Sequence, residues 1–309
     1  METRPIVVGA DGSEESLRAV EWASIEAARR RAPLRIVSVT AAPVRAAAQI
    51  GSPLTVDDAL RDVCTQTLRT TAELAANLAP GVAIETELLS GAPGQALARD
   101  ASEASMLVVG AFGFGGSGEM SAGPVSRYVA AHAACPVVVV RDQGRTVHGE
   151  VIVGIRDPDE AAGTLSFAFE EAALRGARLL AVHAWHWLPP TSLSVPGARD
   201  GADSGGGRGA GAVLTVPRQH PDTRAQSAQA AKRLAETLSR WQQRYPRVPA
   251  SPKVIHGHPG RVLAAFSGLA DLTVIGRRDG HDGQPLGEGP VRHGVLNHAQ
   301  GPVAVIPAA

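Results

Sequence analysis

Three glycines and one aspartate are the residues whose types and spacing could do chemistry. Gly110, Gly113 and Gly123 form a Gly-x2-Gly-x9-Gly pattern directly after a short apolar run. Glycines let backbone N–H groups approach an anion closely, and a helix that begins after Gly123 adds the positive end of its dipole. Asp11 follows the first apolar run of the chain and could accept hydrogen bonds from an adenine amino group or a ribose hydroxyl. The combination favours a site for a polyphosphate.

Apolar patterning predicts alternating strands and helices around these residues. The strand-like runs are 6–8, 34–39, 83–89, 106–109 and 137–140, and the helical patterns are 13–31, 57–79, 93–103 and 124–134. Five strands separated by four helices imply a parallel, doubly wound sheet, because parallel neighbours need crossover helices. Such sheets bind ligands beyond the carboxyl ends of their strands, which is where Asp11 and Gly110 fall.

The second half of the chain repeats the first. At an offset of 145 residues, seven of thirteen positions in 25–37 are identical to those in 170–182. Further along, 123–125 matches 289–291 at an offset of 166. The change of offset indicates a 21-residue insertion in the second copy, which we place in a glycine-rich stretch at about 189–217.

The predicted organisation is therefore a tandem α/β protein. The first domain is expected at 1–142, a linker at 143–150 and the second domain at 151–309. Each domain is predicted to be a doubly wound, five-stranded parallel sheet.

Composition narrows the function classes. The chain has 309 residues, of which 44% are hydrophobic, and 30 basic residues balance 30 acidic ones. This is enough apolar material for a core and too little net charge for a dedicated nucleic-acid binder. The two cysteines, Cys64 and Cys135, exclude a disulfide framework and are expected to be packing groups. Since no secretory leader pattern or long apolar run is visible, we expect a cytoplasmic protein without a membrane segment.

With these motifs, both copies resemble the universal stress protein family, whose fold is similar to that of the adenine nucleotide alpha hydrolases. The family's ATP-binding members carry the same glycine spacing followed by Ser or Thr, an Asp after the first strand, and a Gly-x-Pro turn like that of Gly91 and Pro93. The resemblance implies ATP or a related adenine nucleotide, with or without Mg²⁺. The site residues that it implies are Ala10, Asp11, Ser13, Val39, Gly110, Ala111, Gly113, Gly123, Val125 and Ser126.

The resemblance also implies pairing through the last strand of each domain. The matching segments are 137–140 and 303–306. They could pair in a homodimer or within one chain, giving an intramolecular pseudo-dimer.

Each copy departs from the family pattern. Pro124 stands where the family has Ser or Thr, so a hydroxyl and an N–H group are lost. Losing one or two hydrogen bonds to a charged group would weaken ATP binding by roughly ten- to several-hundredfold unless Ser126 compensates. In the second copy, Arg156 replaces the aspartate and Asp279 places a carboxylate where a polyphosphate would lie. The second site is therefore expected to be degenerate.

Other functions stay open at this point. The departures also fit a nucleotide-free dimerisation or interaction scaffold with both pockets vestigial. Slow ATP hydrolysis is the enzymatic alternative, but the only lysines, Lys232 and Lys253, lie away from the glycine motifs and cannot neutralise a transferring phosphoryl group. We expect no catalytic residues, and we interpret the chain as a nucleotide-binding stress-response regulator.

Further expectations concern packing and the histidines. The three arginines at 29–31 are expected to form a solvated helix end. Leu60 and Val63 recur at near-helical spacing with later apolar residues and predict a buried face for the second helix. His183 and His256 are interpreted as surface or hydrogen-bonded groups and not as metal ligands.

Overall fold

The computed structural model describes residues 4–40, 53–113, 122–141, 147–185, 221–277 and 289–308. Ten β-strands and eight α-helices alternate along these residues. The glycine-rich insertion at about 189–217 and the first part of the linker, 143–146, lie outside the described residues.

The first copy has the predicted order of elements. Its strands are β1 (Ile6–Gly9), β2 (Leu34–Thr40), β3 (Ile84–Ser90), β4 (Met106–Gly110) and β5 (Val137–Val140). Its helices are α1 (Glu14–Arg30), α2 (Pro53–Leu78), α3 (Pro93–Asp100) and α4 (Pro124–His132), with a 3-10 turn at Ala101–Glu103. Three of these helices begin at proline, which suits the first helical position because its φ is already helical and its missing N–H would have no partner there.

The second copy repeats this order. Its strands are β6 (Glu150–Gly154), β7 (Arg178–Trp185), β8 (Ala250–His256), β9 (Leu272–Gly276) and β10 (Val303–Ile306). Its helices are α5 (Ala162–Arg175), α6 (Pro221–Arg244), α7 (Pro259–Ser267) and α8 (Pro290–His298). Glu150 was expected in the linker, but it begins β6, because it lies opposite Arg178 in the parallel register and forms an ion pair with it at 3.0 Å.

All ten strands form one sheet in the order β3-β2-β1-β4-β5-β10-β9-β6-β7-β8. Neighbours within each copy are parallel. At the centre, β5 and β10 run antiparallel, with Val139 opposite Val303 and Val137 opposite Val305. The α/β fold is confirmed, and the two predicted sheets are continuous because their last strands pair within the chain.

Helices cover both faces of the sheet. The core on one face includes buried residues of α1, α2, α5 and α6, and the core on the other face includes buried residues of α3, α4, α7 and α8. The central strands β5 and β10 are buried along their whole length. Apolar burial on both faces is what the short, β-branched runs of the sequence predict for parallel strands.

The apolar face predicted for α2 is wrong in its first half. Leu60 and Val63 are 41% and 60% exposed, Cys64 is half-buried, and Leu68 is the first fully buried residue of the set. The helix has 26 residues, or about 39 Å, whereas β2 and β3 have seven residues each, or about 23 Å. The helix is therefore longer than the strands that it covers.

A buried cluster of four charges joins α1 to α5. Glu26 and Glu171 are both fully buried. Arg30 donates to Glu26 over 2.7 Å and also contacts Glu171, while Arg175 donates to Glu26 over 2.8 Å and also contacts Glu171. We call Glu26, Arg30, Glu171 and Arg175 the interdomain charge cluster. The expectation of a solvated helix end is wrong for Arg30, because the second copy covers it.

An aromatic ring packs against each arginine of the interdomain charge cluster. The guanidinium of Arg30 lies 5.6 Å from the ring centre of Phe167, and that of Arg175 lies 5.6 Å from the ring centre of Trp22. Burial alone would raise the pKa of Glu26, but the charges of Arg175 and Arg30 outweigh burial and hold this pKa below its ordinary value. Glu26 is therefore ionised in the folded protein at neutral pH.

Removing one carboxylate of the cluster should destabilise the chain strongly. Glu26→Ala leaves two buried guanidiniums with one buried carboxylate between them, so we expect a loss of about 3–5 kcal/mol in the free energy of unfolding, measured with urea. Glu21→Ala, at an exposed position of the same helix, is the matched control. An effect no larger than that of the control would contradict the assignment.

The same variant should show a defined pH dependence. Because the pKa of Glu26 is lowered in the folded state, its stabilising contribution is complete above the unfolded value near 4.5 and is lost as pH falls through the folded value. The difference in unfolding free energy between the natural chain and Glu26→Ala should therefore narrow on acidification below this pH.

Candidate functional site

The carboxyl ends of β1 and β4 bring the predicted site residues together. These strands are adjacent, and the strand order reverses between them. Asp11 follows β1, and Gly113 follows β4 in the segment 110–123, which we call the glycine loop; its residues 114–121 lie outside the described part. A methyl group on Gly113 would lie 2.5 Å from Oδ2 of Asp11. The carboxylate therefore faces the glycine loop at contact distance, where open α/β sheets bind ligands.

Asp11 is oriented by the first turn of α1. Its Oδ1 accepts hydrogen bonds from the N–H of Ser13 at 2.9 Å and from its hydroxyl at 2.5 Å. Oγ of Ser13 in turn caps the helix by accepting from the N–H of Ser16 at 3.2 Å. Just before this turn, the N–H of Ala10 donates to the carbonyl of Val37 at 2.8 Å. The capping turn thus uses Oδ1 and leaves Oδ2 on the side of the glycine loop.

Gly110 and Ala111 form the tightly packed beginning of the glycine loop. A methyl group on Gly110 would lie 2.8 Å from the carbonyl carbon and oxygen of Glu15, which is backbone and cannot move aside cheaply. Only glycine therefore lets β4 end this close to α1. Ala111 is fully buried, and its N–H donates to the carbonyl of Val140 at 2.9 Å. This N–H group is used within the sheet and is not a donor for a ligand.

Several polar groups at the beginning of α4 form hydrogen bonds within the glycine loop. The N–H of Gly123 donates to the carbonyl of Ala111 at 2.8 Å, and the hydroxyl of Ser126 lies 3.0 Å from that oxygen and 2.9 Å from the carbonyl of Gly123. This hydroxyl donates inside the loop and does not replace the one that Pro124 lacks. In the described part of the site, the first-turn N–H groups of Val125 and Ser126 are the donors that a helix leaves for an outside partner.

Apolar side chains form another side of the same site. Val39, at the end of β2, is half-buried and packs against the cluster that also contacts Phe112 and Val125. Val39 therefore lies on the same face of the sheet as the glycine loop. A ligand that combines an aromatic base with phosphates would meet apolar groups here and N–H groups at α4.

Sequence reasoning missed Arg141. Its guanidinium lies 5.2 Å from the ring centre of Phe112, in the glycine loop. Burial lowers the pKa of Arg141, and the charge of Glu15 offsets part of this effect. Among the described residues, its Nε is a buried atom without a hydrogen-bond partner. The available signal was its position as the first residue after β5, at the same edge of the sheet as Asp11.

The corresponding edge of the second copy is built differently. Arg156, in the place of Asp11, forms an ion pair with Glu160 at 2.5 Å, and both are exposed. Arg292, which occupies the place of Ser126 in the repeat, is buried at the beginning of α8. Asp279 lies outside the described residues. A guanidinium thus stands where the first copy has a small hydroxyl.

The cysteine and histidine expectations can be placed on the structure. Cys135 is buried, and burial raises the pKa of its thiol to about 11, in keeping with a packing role. Nδ1 of His183 lies 2.9 Å from a main-chain oxygen directly after β6, and His256 packs edge-on against Trp185 with ring centres 5.2 Å apart. Within the described ranges, no three His, Cys, Asp or Glu side chains are grouped as metal ligands.

Comparison with known proteins decides the family. Residues 2–141 and 149–307 each match the model of the universal stress protein family. The chain belongs to the universal stress protein family. A universal stress protein of Mycobacterium tuberculosis is 32% identical over 310 residues, covering 97% of this chain and 96% of the relative. One of Mycolicibacterium smegmatis is 29% identical over 311 residues, with coverage of 97% and 96%.

A solved structure supports the tandem fold. A universal stress protein from Archaeoglobus fulgidus matches with a TM-score of 0.67 and 14% identity, covering 100% of both chains. Universal stress proteins are generally non-enzymatic stress-response proteins, in agreement with the expectation that this chain is not an enzyme. In the part of the chain that is described, no helix combines the length and apolarity needed to cross a bilayer.

Enlarging Gly110 should test the close packing under the site. Gly110→Ala places a methyl group against the backbone of Glu15, and we expect a loss of about 1–3 kcal/mol in the free energy of unfolding. Gly163→Ala is the matched control, because nothing lies within 4 Å of that position in α5; alanine there should be neutral or stabilise by up to about 1 kcal/mol. Equal effects in urea unfolding would show that β4 and α1 have room to separate.

Proposed function

We propose that this universal stress protein is a cytoplasmic, nucleotide-binding regulator whose first domain, residues 1–142, binds ATP or a related adenine nucleotide. The observation that carries the proposal is that Oδ2 of Asp11 lies so near Gly113 that an added methyl group would be 2.5 Å from it, across the point where the strand order reverses. A carboxylate acceptor, a glycine loop and the beginning of a helix meet there. The second domain, residues 151–309, is assigned a degenerate site.

The residues present fit a nucleotide in chemical type. Asp11 supplies a carboxylate for a ribose hydroxyl or an adenine amino group, and the first-turn N–H groups of Val125 and Ser126 supply donors at the positive end of α4. Arg141 adds a positive charge beside the glycine loop, with a buried Nε that lacks a partner among the described residues. Mg²⁺, where present, would accompany the phosphates as their counter-ion.

The donor set also limits the affinity. Pro124 contributes no N–H, and the N–H groups of Ala111 and Gly123 are used internally. A site that lacks one or two hydrogen bonds to phosphate binds about ten- to several-hundredfold more weakly than a complete one. We therefore expect ATP to bind this chain more weakly than it would bind a site with the complete set of donors.

The same internal hydrogen bonds favour a second candidate function. If the polar groups of the glycine loop are hydrogen-bonded within the loop and leave no donors for phosphate, the protein is a nucleotide-free interaction scaffold with both pockets vestigial. The hydroxyl of Ser126 and the N–H of Gly123, both bonded within the loop, are the observations on this side. Mass analysis of small molecules released by denaturing the purified protein tests the scaffold function, since release of an adenine nucleotide would reject it.

Isothermal titration with ATP, AMP and cAMP tests the nucleotide proposal. Gly113→Asp should weaken binding at least about tenfold, because the new carboxylate would lie against that of Asp11 and against the phosphates. Gly163→Asp adds the same charge at an open position of α5 and should bind like the natural chain. If the natural chain binds no nucleotide at millimolar concentration, the proposal is rejected. If Gly113→Asp and Gly163→Asp bind nucleotide equally well, the glycine loop is not part of the binding site.

Restoring the family residue at 124 should strengthen the same site. Pro124→Ser returns an N–H and a hydroxyl to the first position of α4, and serine is well tolerated at a helix beginning. We expect about tenfold tighter ATP binding, the equivalent of one added hydrogen bond to a charged group. Pro290→Ser, at the corresponding position of α8, is the control and should leave ATP affinity unchanged. A gain in the control alone would assign binding to the second domain.

A further inference from the structure

The second domain contacts the end of the first domain's glycine loop. Asn297, on α8, is buried, and its Oδ1 accepts a hydrogen bond from the N–H of Ala122 at 3.0 Å. Ala122 directly precedes Gly123, the N-cap residue of α4. Since both groups are buried, removing the acceptor would leave an N–H group of the loop unsatisfied.

The beginning of the same loop is also connected to α8. Arg141 donates to the carbonyl of Leu296, the residue beside Asn297, and its guanidinium lies over the ring of Phe112. Phe112 stands between the first two glycines of the pattern. Two neighbouring residues of α8 therefore contact both described ends of the glycine loop, one directly and one through Arg141.

A second contact orients the Asn297 amide. Its Nδ2 lies 2.8 Å from Nε2 of His293, one turn earlier on α8. The amide nitrogen donates to this ring nitrogen, so the amide oxygen faces Ala122. The side chain is thus held by its own helix and presented to the loop of the other domain.

We propose that α8 of the second domain positions the end of the first domain's glycine loop, at Ala122, and with it the beginning of α4, with Asn297 as the positioning residue. This inference rests on the proposed function, because it assigns a role in nucleotide binding to a residue outside the site. Ala122 and the N-cap residue Gly123 lead directly into the first-turn N–H groups of α4. Donors that are already held in place lose less conformational entropy when they bind phosphates, and this raises affinity. The second domain then contributes to binding without holding a nucleotide itself.

The experiment compares three variants of the full chain. Asn297→Ala removes the acceptor and should weaken ATP binding about three- to tenfold, with a similar loss of hydrogen-exchange protection at the amide of Ala122. Asn297→Asp replaces the amide oxygen Oδ1 with a carboxylate oxygen that can still accept from Ala122, and it should restore hydrogen-exchange protection of that amide to within about twofold of the natural chain. His298→Ala, at an exposed position of the same helix, is the matched control and should behave like the natural chain.

Both readouts are compared at equal folded fraction, established by thermal unfolding. If Asn297→Ala does not fold, Asn297→Leu removes the same acceptor while keeping the side-chain volume. Unchanged ATP affinity in the chain without the acceptor, or an aspartate variant whose Ala122 amide is as poorly protected as in the alanine variant, would overturn the inference.

Failure of the proposed function has a different signature. If the natural chain binds no nucleotide, the proposed function and the linkage of Asn297 to nucleotide are both rejected. Hydrogen exchange at Ala122 without nucleotide still decides whether Asn297 holds the loop: protection that is lost in Asn297→Ala supports the contact, and protection that is unchanged rejects it. If the natural chain binds nucleotide and the variants do not differ, only the inference fails.

Discussion

The antiparallel pairing of β5 with β10 is the contact on which the rest of the structure depends. Each of these strands would otherwise be the edge of its sheet, with a fully apolar sequence and a row of unpaired backbone groups, which is a common route to unwanted association. Pairing them removes both of these edges and leaves β3 and β8 as the only edges of the ten-stranded sheet among the described residues. Because the partner strands are equivalent segments of two copies, α1 and α5 also meet each other near the junction.

The interdomain charge cluster follows from this arrangement. The same sequence of aromatic, acidic and basic residues occurs at four-residue intervals in both copies, and each arginine contacts both carboxylates. A buried ion pair gains little net stability over apolar residues of the same volume, because desolvation opposes the attraction. A buried charge that loses its partner is strongly destabilising, however. The cluster therefore disfavours any docking in which one copy shifts by a turn of helix against the other.

The sequence predicts the secondary-structure elements better than it predicts the tertiary contacts between them. The five strands of the first copy are predicted to within about a residue, because β-branched runs bounded by helices leave few alternatives. The proximity of Asp11 to Gly113 could likewise be predicted, since neighbouring parallel strands end at the same edge of a sheet. Arg30 was misassigned because a run of arginines at a helix end is usually solvated, although the alignment of the repeat already placed Glu26 opposite Glu171. The hydrogen-bond partners of Ser126 depend on the local backbone geometry around Ala111 and Gly123, and the contacts across the two copies depend on how the copies dock. Hydrophobic periodicity carries neither kind of information.

The two copies share a fold, but the contacts that each contributes to the other differ. The second copy supplies a strand, half of a charge cluster and the Asn297 contact to the glycine loop, and none of these passes through its own altered edge at Arg156. One further contact from the second copy does start beside that edge: Arg277, after β9, donates to the carbonyl of Ala133 at the carboxyl end of α4, away from the beginning of that helix. The second edge can therefore depart from the family pattern without disturbing the first. Under the proposed function, a copy that lacks the ligand residues would still hold in place the copy that carries them.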